Sequence, residues 1–197
     1  MELNQKIRLA VVGVSGQDPL DKKKLCKEHM EYMIENVYCY IENVLHRKPS
    51  DIILVSGGSA WADHIAVLLY LKGEFSGIEL YLPSRFDPKQ KKYINTHEGR
   101  TLNQLHTECQ EKTGLNVFED LTKTVSRKAV KVTIKRRFLA RNTLIAKNCD
   151  HLIAFTFNPD SPIKGGTFDT WKKTTHQNKT NFDLSLMPIN KSKVVEI

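Results

Sequence analysis

The sequence predicts an α/β fold of the Rossmann-like class: a doubly wound, mostly parallel sheet with helices on both faces. Short apolar runs, of a length suited to buried strands, alternate along the chain with longer segments of helical periodicity. Turns of small residues lie next to three of the predicted strands or helices. Because ligands of such sheets bind beyond the carboxyl ends of the strands, we expect the three turns to share one rim.

Each strand assignment depends on a short apolar run that a turn signal closes. The predicted strands cover residues 7–14, 51–55, 78–82, 129–132, 151–155 and 181–187. Each helix assignment depends on apolar residues that recur at intervals of three and four. The predicted helices cover residues 21–45, 59–73, 102–114, 134–148 and 168–176. The polar, basic segment 84–98 is predicted to be an irregular loop, and segment 116–128 has no readable period.

The composition indicates a single globular domain over residues 1–197, with 40% hydrophobic and 26% charged residues. No apolar run is long enough to span a bilayer, and the first residues lack the apolar core of a signal peptide, so we expect no membrane partner. The four scattered cysteines lack metal-ligand spacing and indicate reduced thiols, which predicts a cytoplasmic protein without metal or cofactor. The net charge of +8 favours phosphate-bearing partners, from mononucleotides to nucleic acid.

The clearest candidate site is the turn at Ser56, Gly57, Gly58 and Ser59, where a buried strand passes directly into a helix. Glycine lets the backbone turn sharply and approach a ligand closely. The first N–H groups of the following helix lack intrahelical partners and carry partial positive charge, which favours a bound phosphate. A tight structural turn that binds nothing explains this stretch, taken alone, equally well.

Two further turns of small residues take comparable positions in the chain. Their residues are Gly13, Ser15, Gly16, Gly165, Gly166 and Thr167. Since ligand sites of doubly wound sheets form at one rim, three such turns together predict one ligand pocket.

Three motifs resemble those of the SLOG superfamily, which joins the lonely-guy nucleotide phosphoribohydrolases, the DNA-processing proteins of bacterial transformation and related nucleotide-sensing modules. Residues 56–63 resemble its "GGxxGAD" turn, residues 141–146 its "RNRIIA" segment, and residues 165–167 its "GGxGT" turn. The motifs occur in family order, and the similarity spans about residues 7–173. The resemblance implies a Rossmann-like nucleotide-binding domain. It also implies a homo-oligomer, for which the apolar stripe of segment 25–45 is a candidate interface, although core packing explains that stripe equally well.

The resemblance also implies roles for two residues of the second motif. Arg141 would point into the cleft as the counter-charge of a phosphate, because a planar guanidinium binds phosphate well. The phosphate itself would lie at Gly57 and Gly58 and at the turn 165–167. Asn142 would orient a ligand hydroxyl or cap a backbone group. The alternative for Arg141 is a surface arginine within a basic segment.

Two acids, Asp169 and Asp63, are the candidate catalytic residues, because cleavage of an N-glycosidic bond requires a carboxylate near the sugar. The phosphoribohydrolases have a catalytic glutamate where this chain has Thr170. Asp169 is one residue out of register, which turns it by about 100° around a helix. Both acids are also suited to the first turn of a helix. Trp61 replaces the third glycine of the first motif, and we expect it to pack in the core rather than stack on a base.

The sequence therefore predicts a module that binds or senses a nucleotide or a phosphorylated nucleotide derivative, such as an ADP-ribose-type molecule. One alternative is a phosphoribohydrolase-like N-glycosidase, whose activity would be weak because the glutamate is replaced. The other is a single-stranded nucleic-acid-binding protein, which the positive charge would favour.

Overall fold

The computed structural model describes residues 5–188, which contain eight strands and seven α-helices. The strands are β1 Ile7–Gly13, β2 Ile52–Ser56, β3 Gly77–Leu82, β4 Phe86–Asp87, β5 Lys92–Tyr93, β6 Lys131–Ile134, β7 His151–Thr156 and β8 Lys179–Asp183. The helices are α1 Pro19–Lys24, α2 Lys27–Asn43, α3 Ala62–Leu71, α4 His97–Thr113, α5 Val117–Val125, α6 Phe138–Lys147 and α7 Gly165–Lys173. Short 3-10 helices cover Pro49–Asp51 and Leu184–Leu186.

Six strands form one parallel sheet in the order β6-β3-β2-β1-β7-β8. The chain builds outward from β1 through β2, β3 and β6, and then crosses back to add β7 and β8 on the other side of β1. The strand order therefore reverses at β1, next to β7. Such a reversal leaves a crevice at the carboxyl ends of the strands, where ligands of doubly wound sheets bind. The predicted fold class is confirmed.

The two faces of the sheet bury separate apolar cores, because successive residues of a strand point to opposite faces. Leu9 and Val11 of β1 belong to the larger core, which α2, α3, α4 and α5 cover. Ala10 and Val12 belong to the smaller core, which Ile145 of α6 helps to cover. Both faces of the central strands are thus buried, as the unbroken apolar runs predict.

The predicted helix 21–45 is wrong as one element, since the chain forms α1 and α2 with an extended break at Leu25 and Cys26. Leu25 is buried in the larger core, and the Cys26 N–H donates to Nδ1 of His29 at the start of the second helix. The apolar stripe of this segment packs into the core, apart from Val44, which is exposed. Homo-oligomerisation therefore stays a prediction without this stripe as its interface.

Several other boundaries differ from the predicted ones. Segment 84–98 contains a short antiparallel pair, β4 with β5, where an irregular loop is predicted. The segment without readable period contains α5. Strand β6 extends to Ile134 because it pairs with β3 as far as Leu82. Helix α6 therefore begins at Phe138 rather than at the predicted residue 134. None of the helices described for residues 5–188 combines the length and apolar character that a bilayer span requires.

Candidate functional site

A cavity of about 360 Å³ lies at the carboxyl end of β1, where the strand order reverses. Its volume falls within the range of small-molecule sites. The end of β1 and the starts of α3, α6 and α7 supply most of its wall. The lining residues are Val12, Gly13, Ser15, Gln17, Ser59, Asp63, Leu105, Phe138, Leu139, Arg141, Asn142, Gly165, Gly166, Thr167 and Thr170.

The structure brings most of the sequence-predicted ligand residues together in this wall. Those that line the cavity are Gly13, Ser15, Ser59, Arg141, Asn142, Gly165, Gly166 and Thr167, together with the candidate catalytic residue Asp63. Those that do not line it are Gly16, Ser56, Gly57, Gly58 and the second candidate acid, Asp169. All three turns reach the cavity, but they contribute different numbers of lining residues. The turn at 165–167 contributes all three of its predicted residues, the turn at 13–16 two of three, and the turn at 56–59 one of four.

The turn at residues 56–59 wraps around the protein's own carboxylate at Asp63. The Ser59 N–H donates to Oδ2 of Asp63 at 3.3 Å, and the Ser56 hydroxyl donates to the Asp63 carbonyl at 2.8 Å. The guanidinium of Arg141 lies directly against Gly57, where an added Cβ would be 1.3 Å from Nη1. Gly57 and Gly58 are therefore packed beneath side chains. We expect a phosphate there only if Asp63 and Arg141 move.

Asp63 and Arg141 form a buried ion pair in the cavity wall. Nη1 of Arg141 donates to Oδ2 of Asp63 at 3.1 Å, and both side chains are more than nine-tenths buried. Burial raises the pKa of Asp63, whereas the guanidinium of Arg141 and the N–H of Ser59 act in the opposite direction. Nε of Arg141 is buried and has no hydrogen-bond partner among the described residues.

The start of α7 forms another part of the cavity wall. Within residues 5–188, no side chain accepts a hydrogen bond from the first N–H groups of this helix. The Thr167 hydroxyl donates to the carbonyl of Gly13 at 2.8 Å, and Nδ2 of Asn142 donates to the carbonyl of Gly166 at 3.1 Å. These two bonds fix α7 to the end of β1 and to the middle of α6.

The start of α6 borders the cavity as well. Arg137 precedes the helix with a φ of 72°, and it too provides no side-chain cap. Phe138 and Leu139, the first two residues of the helix, line the cavity. Two helix N-termini with partial positive charge therefore face one cavity, which is an arrangement suited to an anion.

Comparison with the sequences of known proteins assigns the chain to one family. No protein-family model matches the chain. It is 48% identical over 181 residues to "Uncharacterized protein R261" of Acanthamoeba polyphaga mimivirus, and the match covers 92% of this chain and 98% of that protein. The chain belongs to the R261 family. Identity at this level extends over nearly the whole of both proteins, so the two share their fold.

A solved structure supports the fold of this R261-family protein independently. DNA processing protein A (DprA) from Streptococcus pneumoniae superposes with a TM-score of 0.51 at 16% sequence identity, over 92% of this chain. The chain spans about half of the length of that structure, 51%. At this identity the likeness shows a DprA-like, Rossmann-like fold.

Asp169 and Thr170 of the R261-family protein are both engaged in local contacts. The Asp169 carboxylate accepts hydrogen bonds from Nδ2 of Asn142 at 3.1 Å and from Nζ of Lys173 at 2.8 Å. The Thr170 hydroxyl lines the cavity and donates to the carbonyl of Gly166 at 3.0 Å. Thr170 thus contributes a hydroxyl to the cavity wall, and the neighbouring acid, Asp169, is turned toward a lysine.

Trp61 packs in the core, as predicted, with 2% of its surface exposed. It has a φ of 60°, a conformation that favours glycine and costs about 1–3 kcal/mol in a bulky residue. An added Cβ at Gly16 would lie 3.1 Å from Nε1 of the indole. Gly16 therefore makes room for Trp61.

Sequence reasoning missed several residues of the site. Gln17 follows the predicted turn directly, so extending that turn by one residue would have found it. Phe138 and Leu139 lie just before Arg141 on one helix, and their apolar side chains carry no signal of a site in the sequence. Leu105 comes from α4 and carries no local signal. Tyr93 supports the site from behind, because its hydroxyl donates to the Gly58 carbonyl at 2.6 Å.

Proposed function

We propose that the protein binds a nucleotide or a phosphorylated nucleotide derivative in this cavity and acts as a binding or sensing module. The observation that carries the proposal is the pair of uncapped helix N-termini, at α6 and α7, that face one cavity beside a buried arginine. Membership of the SLOG superfamily, suggested by the three motifs, is part of this proposal.

The phosphate would lie at Gly165, Gly166 and Thr167, with its oxygens against the free N–H groups of α7. Arg141 lines the same cavity and would add a positive charge whose field Asp63 partly offsets. Ser15 and Asn142 provide polar groups for a sugar hydroxyl, and Phe138 and Leu139 provide apolar surface for a base.

Calorimetric titration with nucleoside mono-, di- and triphosphates and with ADP-ribose tests the proposal. We expect saturable binding of at least one of them and a matching rise in the melting temperature, because a ligand of the native state stabilises it by mass action. Folded protein that none of these ligands stabilises or titrates would contradict the proposal.

The N-glycosidase alternative has less support from the geometry. Asp63 is the one carboxylate among the residues lining the cavity, and it is held by Arg141 and the first turn. Asp169 faces Lys173. An acid that must stabilise or attack a sugar centre needs to be positioned within about 1 Å of its productive place. We therefore expect no appreciable release of free base from nucleoside monophosphates. Rapid release that is lost in Asp169→Asn or in Asp63→Asn would assign catalysis to that acid.

A basic surface keeps single-stranded nucleic acid as a second candidate ligand. Segment 127–137 contains six lysines and arginines and no acid, and all six are exposed along the edge strand β6 and before α6. Binding there would weaken steeply with salt because counterions are released from the strand, whereas binding of a mononucleotide in the cavity would change little. Titrating a labelled oligonucleotide at two salt concentrations separates these two ligands.

A further inference from the structure

Strand β6 forms one edge of the parallel sheet and pairs on its inner side with β3. The N–H of Lys135, directly after the strand, donates to the Leu82 carbonyl of β3 at 2.8 Å. Since the backbone groups of successive strand residues point to opposite sides, the N–H and C=O groups of Val132 and Ile134 face away from β3. Such outward groups are a template for one more strand.

The side chains of Val132 and Ile134 form an apolar strip along the same edge. Their register partners in β3, Leu80 and Leu82, are fully buried in the larger core. Register partners of a parallel pair point to the same face of the sheet, so the strip continues the face of that core. Val132 and Ile134 are nevertheless 38% and 45% exposed. A strand added at β6 would cover them.

The opposite edge of the sheet, β8, is covered by the protein itself. All five of its residues are half-buried or buried. The ring of Phe182 stacks on that of Phe155 with 5.3 Å between the ring centroids, and the amide of Asn181 donates to the Asn158 carbonyl at 2.7 Å. An accessible edge with apolar side chains is therefore a feature of β6 and not of β8.

The charge around β6 indicates which kind of strand fits there. Segment 127–137 contains no acid and six exposed basic residues, Arg127, Lys128, Lys131, Lys135, Arg136 and Arg137. Lys131 pairs with Glu79, and within residues 5–188 no carboxylate pairs with the other five. Pairing of β6 with a second copy of itself would bring like charges together, which is unfavourable. The same charges attract an acidic segment.

An extended peptide matches more features of this edge than a nucleic acid does. The phosphates of a nucleic acid would use the basic side chains alone. A peptide strand would use them too, and its own N–H and C=O groups would also pair with those of Val132 and Ile134. Its apolar side chains would cover the strip.

We propose that the β6 edge, residues 131–135, binds an extended acidic segment of a partner protein as an additional strand of the sheet. The segment alternates apolar residues, which lie over Val132 and Ile134, with acidic residues on the face of Lys131 and Lys135. None of residues 131–135 lines the cavity, so this site is separate from the proposed nucleotide site and does not depend on it.

A fluorescein-labelled peptide of about eight alternating glutamates and valines is a suitable probe, because it spans β6 and the flanking basic residues. Fluorescence anisotropy measures its binding, and a peptide of alternating lysines and valines is the control of opposite charge. We expect saturable binding of the glutamate peptide below about 1 mM, at least about tenfold tighter than that of the lysine peptide.

Hydrogen exchange of single backbone amides, measured by NMR, identifies strand addition in the wild-type protein. The N–H groups of Val132 and Ile134 face away from β3 and should exchange rapidly in the free protein. At a saturating concentration of the glutamate peptide, we expect their exchange to slow by at least about fivefold, because they then donate to the added strand.

Val132→Pro and Val132→Thr form a matched pair of variants. Proline is tolerated on an edge strand where its missing N–H would face solvent, so the pairing with β3 is kept. Threonine keeps both the N–H and the β-branched side chain. We expect Val132→Pro to bind the glutamate peptide at least about fivefold more weakly than Val132→Thr, the scale of one lost hydrogen bond. Thermal melts establish that both variants are folded.

Three results would overturn the inference. The first is a glutamate peptide that does not bind, or that binds no more tightly than the lysine peptide. The second is binding that leaves the exchange of Val132 and Ile134 unchanged, or that is equal in the two folded variants, since either result assigns the contact to side-chain charge alone. The third is a labelled oligothymidylate that binds and displaces the glutamate peptide equally well from Val132→Pro and Val132→Thr, which assigns the surface to nucleic acid.

Discussion

The turns at residues 56–59 and 165–167 have similar sequences but different surroundings. Both join glycines to the start of a helix. The first encloses the carboxylate of Asp63 under the guanidinium of Arg141, and its two glycines lie outside the cavity wall. The second is uncapped and lines the cavity. The first glycine turn thus already holds a carboxylate of the chain, whereas the second borders the open cavity.

The largest expected effect comes from adding one methyl group to each turn. In Gly57→Ala the new Cβ would overlap Nη1 of Arg141 and separate it from Asp63, which leaves a buried charge unpaired. We expect a loss of about 3–5 kcal/mol in the free energy of unfolding. In Gly166→Ala the new Cβ meets Nδ2 of Asn142 at 3.5 Å, an ordinary contact. We expect a change of less than about 1 kcal/mol there.

Denaturant unfolding of the two variants measures this contrast. Equal losses in Gly57→Ala and Gly166→Ala would contradict the packing of Arg141 against the first turn.

Acid should destabilise the packing that supports the first turn. Tyr93, which donates to the Gly58 carbonyl, lies 5.6 Å from the ring of buried His106, and burial lowers the pKa of His106 to about 3. The unfolded chain binds a proton at about pH 6.5 and the folded chain does not, so stability is complete above pH 6.5 and falls as the pH decreases toward 3.

Unfolding measured between pH 7 and pH 4 checks this expectation, with a decline of up to about 3 kcal/mol from this residue. His106→Phe keeps an aromatic ring without the titrating nitrogens, so its decline over the same range should be smaller by that amount. Identical pH profiles for the variant and the wild type would show that His106 does not set the acid sensitivity.

A smaller effect is expected from the hydrogen bond that supports the first turn from behind. Tyr93→Phe leaves the buried carbonyl of Gly58 without its 2.6 Å partner. We expect a loss of about 1–2 kcal/mol in the free energy of unfolding. Nucleotide affinity of the folded variant should be unchanged, since Tyr93 lies outside the lining of the cavity. A marked loss of affinity at unchanged stability would place the ligand at the first turn.

The sequence was sufficient for the fold class because its signals are local. Apolar runs and glycine turns such as Ser56 to Ser59 specify where strands end, and the parallel order then brings the turns to one rim. Local signals could not predict the occupancy of each turn, that is, whether the chain's own side chains fill it or the cavity borders it. It depends on Arg141, which reaches Asp63 over 78 positions of sequence, and on Tyr93 from a segment predicted to be irregular.

The break between α1 and α2 is a second feature that local sequence signals could not predict. Residues 21–45 have helical spacing throughout, yet Leu25 is drawn into the core in an extended conformation. Tertiary burial overrides local propensity at that point. This break gives α1 its own start, where Asp18 acts as the cap.

The central claim, that a ligand phosphate lies at the start of α7, is tested most directly by placing a carboxylate there. Gly166→Asp puts a negative charge at the N-terminus of a helix, where it is tolerated and competes with the phosphate, and Gly166→Asn is the uncharged control of the same size. Titration of AMP should show at least about tenfold weaker binding to Gly166→Asp than to Gly166→Asn, corresponding to the loss of one charge-assisted hydrogen bond. Equal AMP affinities of the two folded variants would contradict the claim.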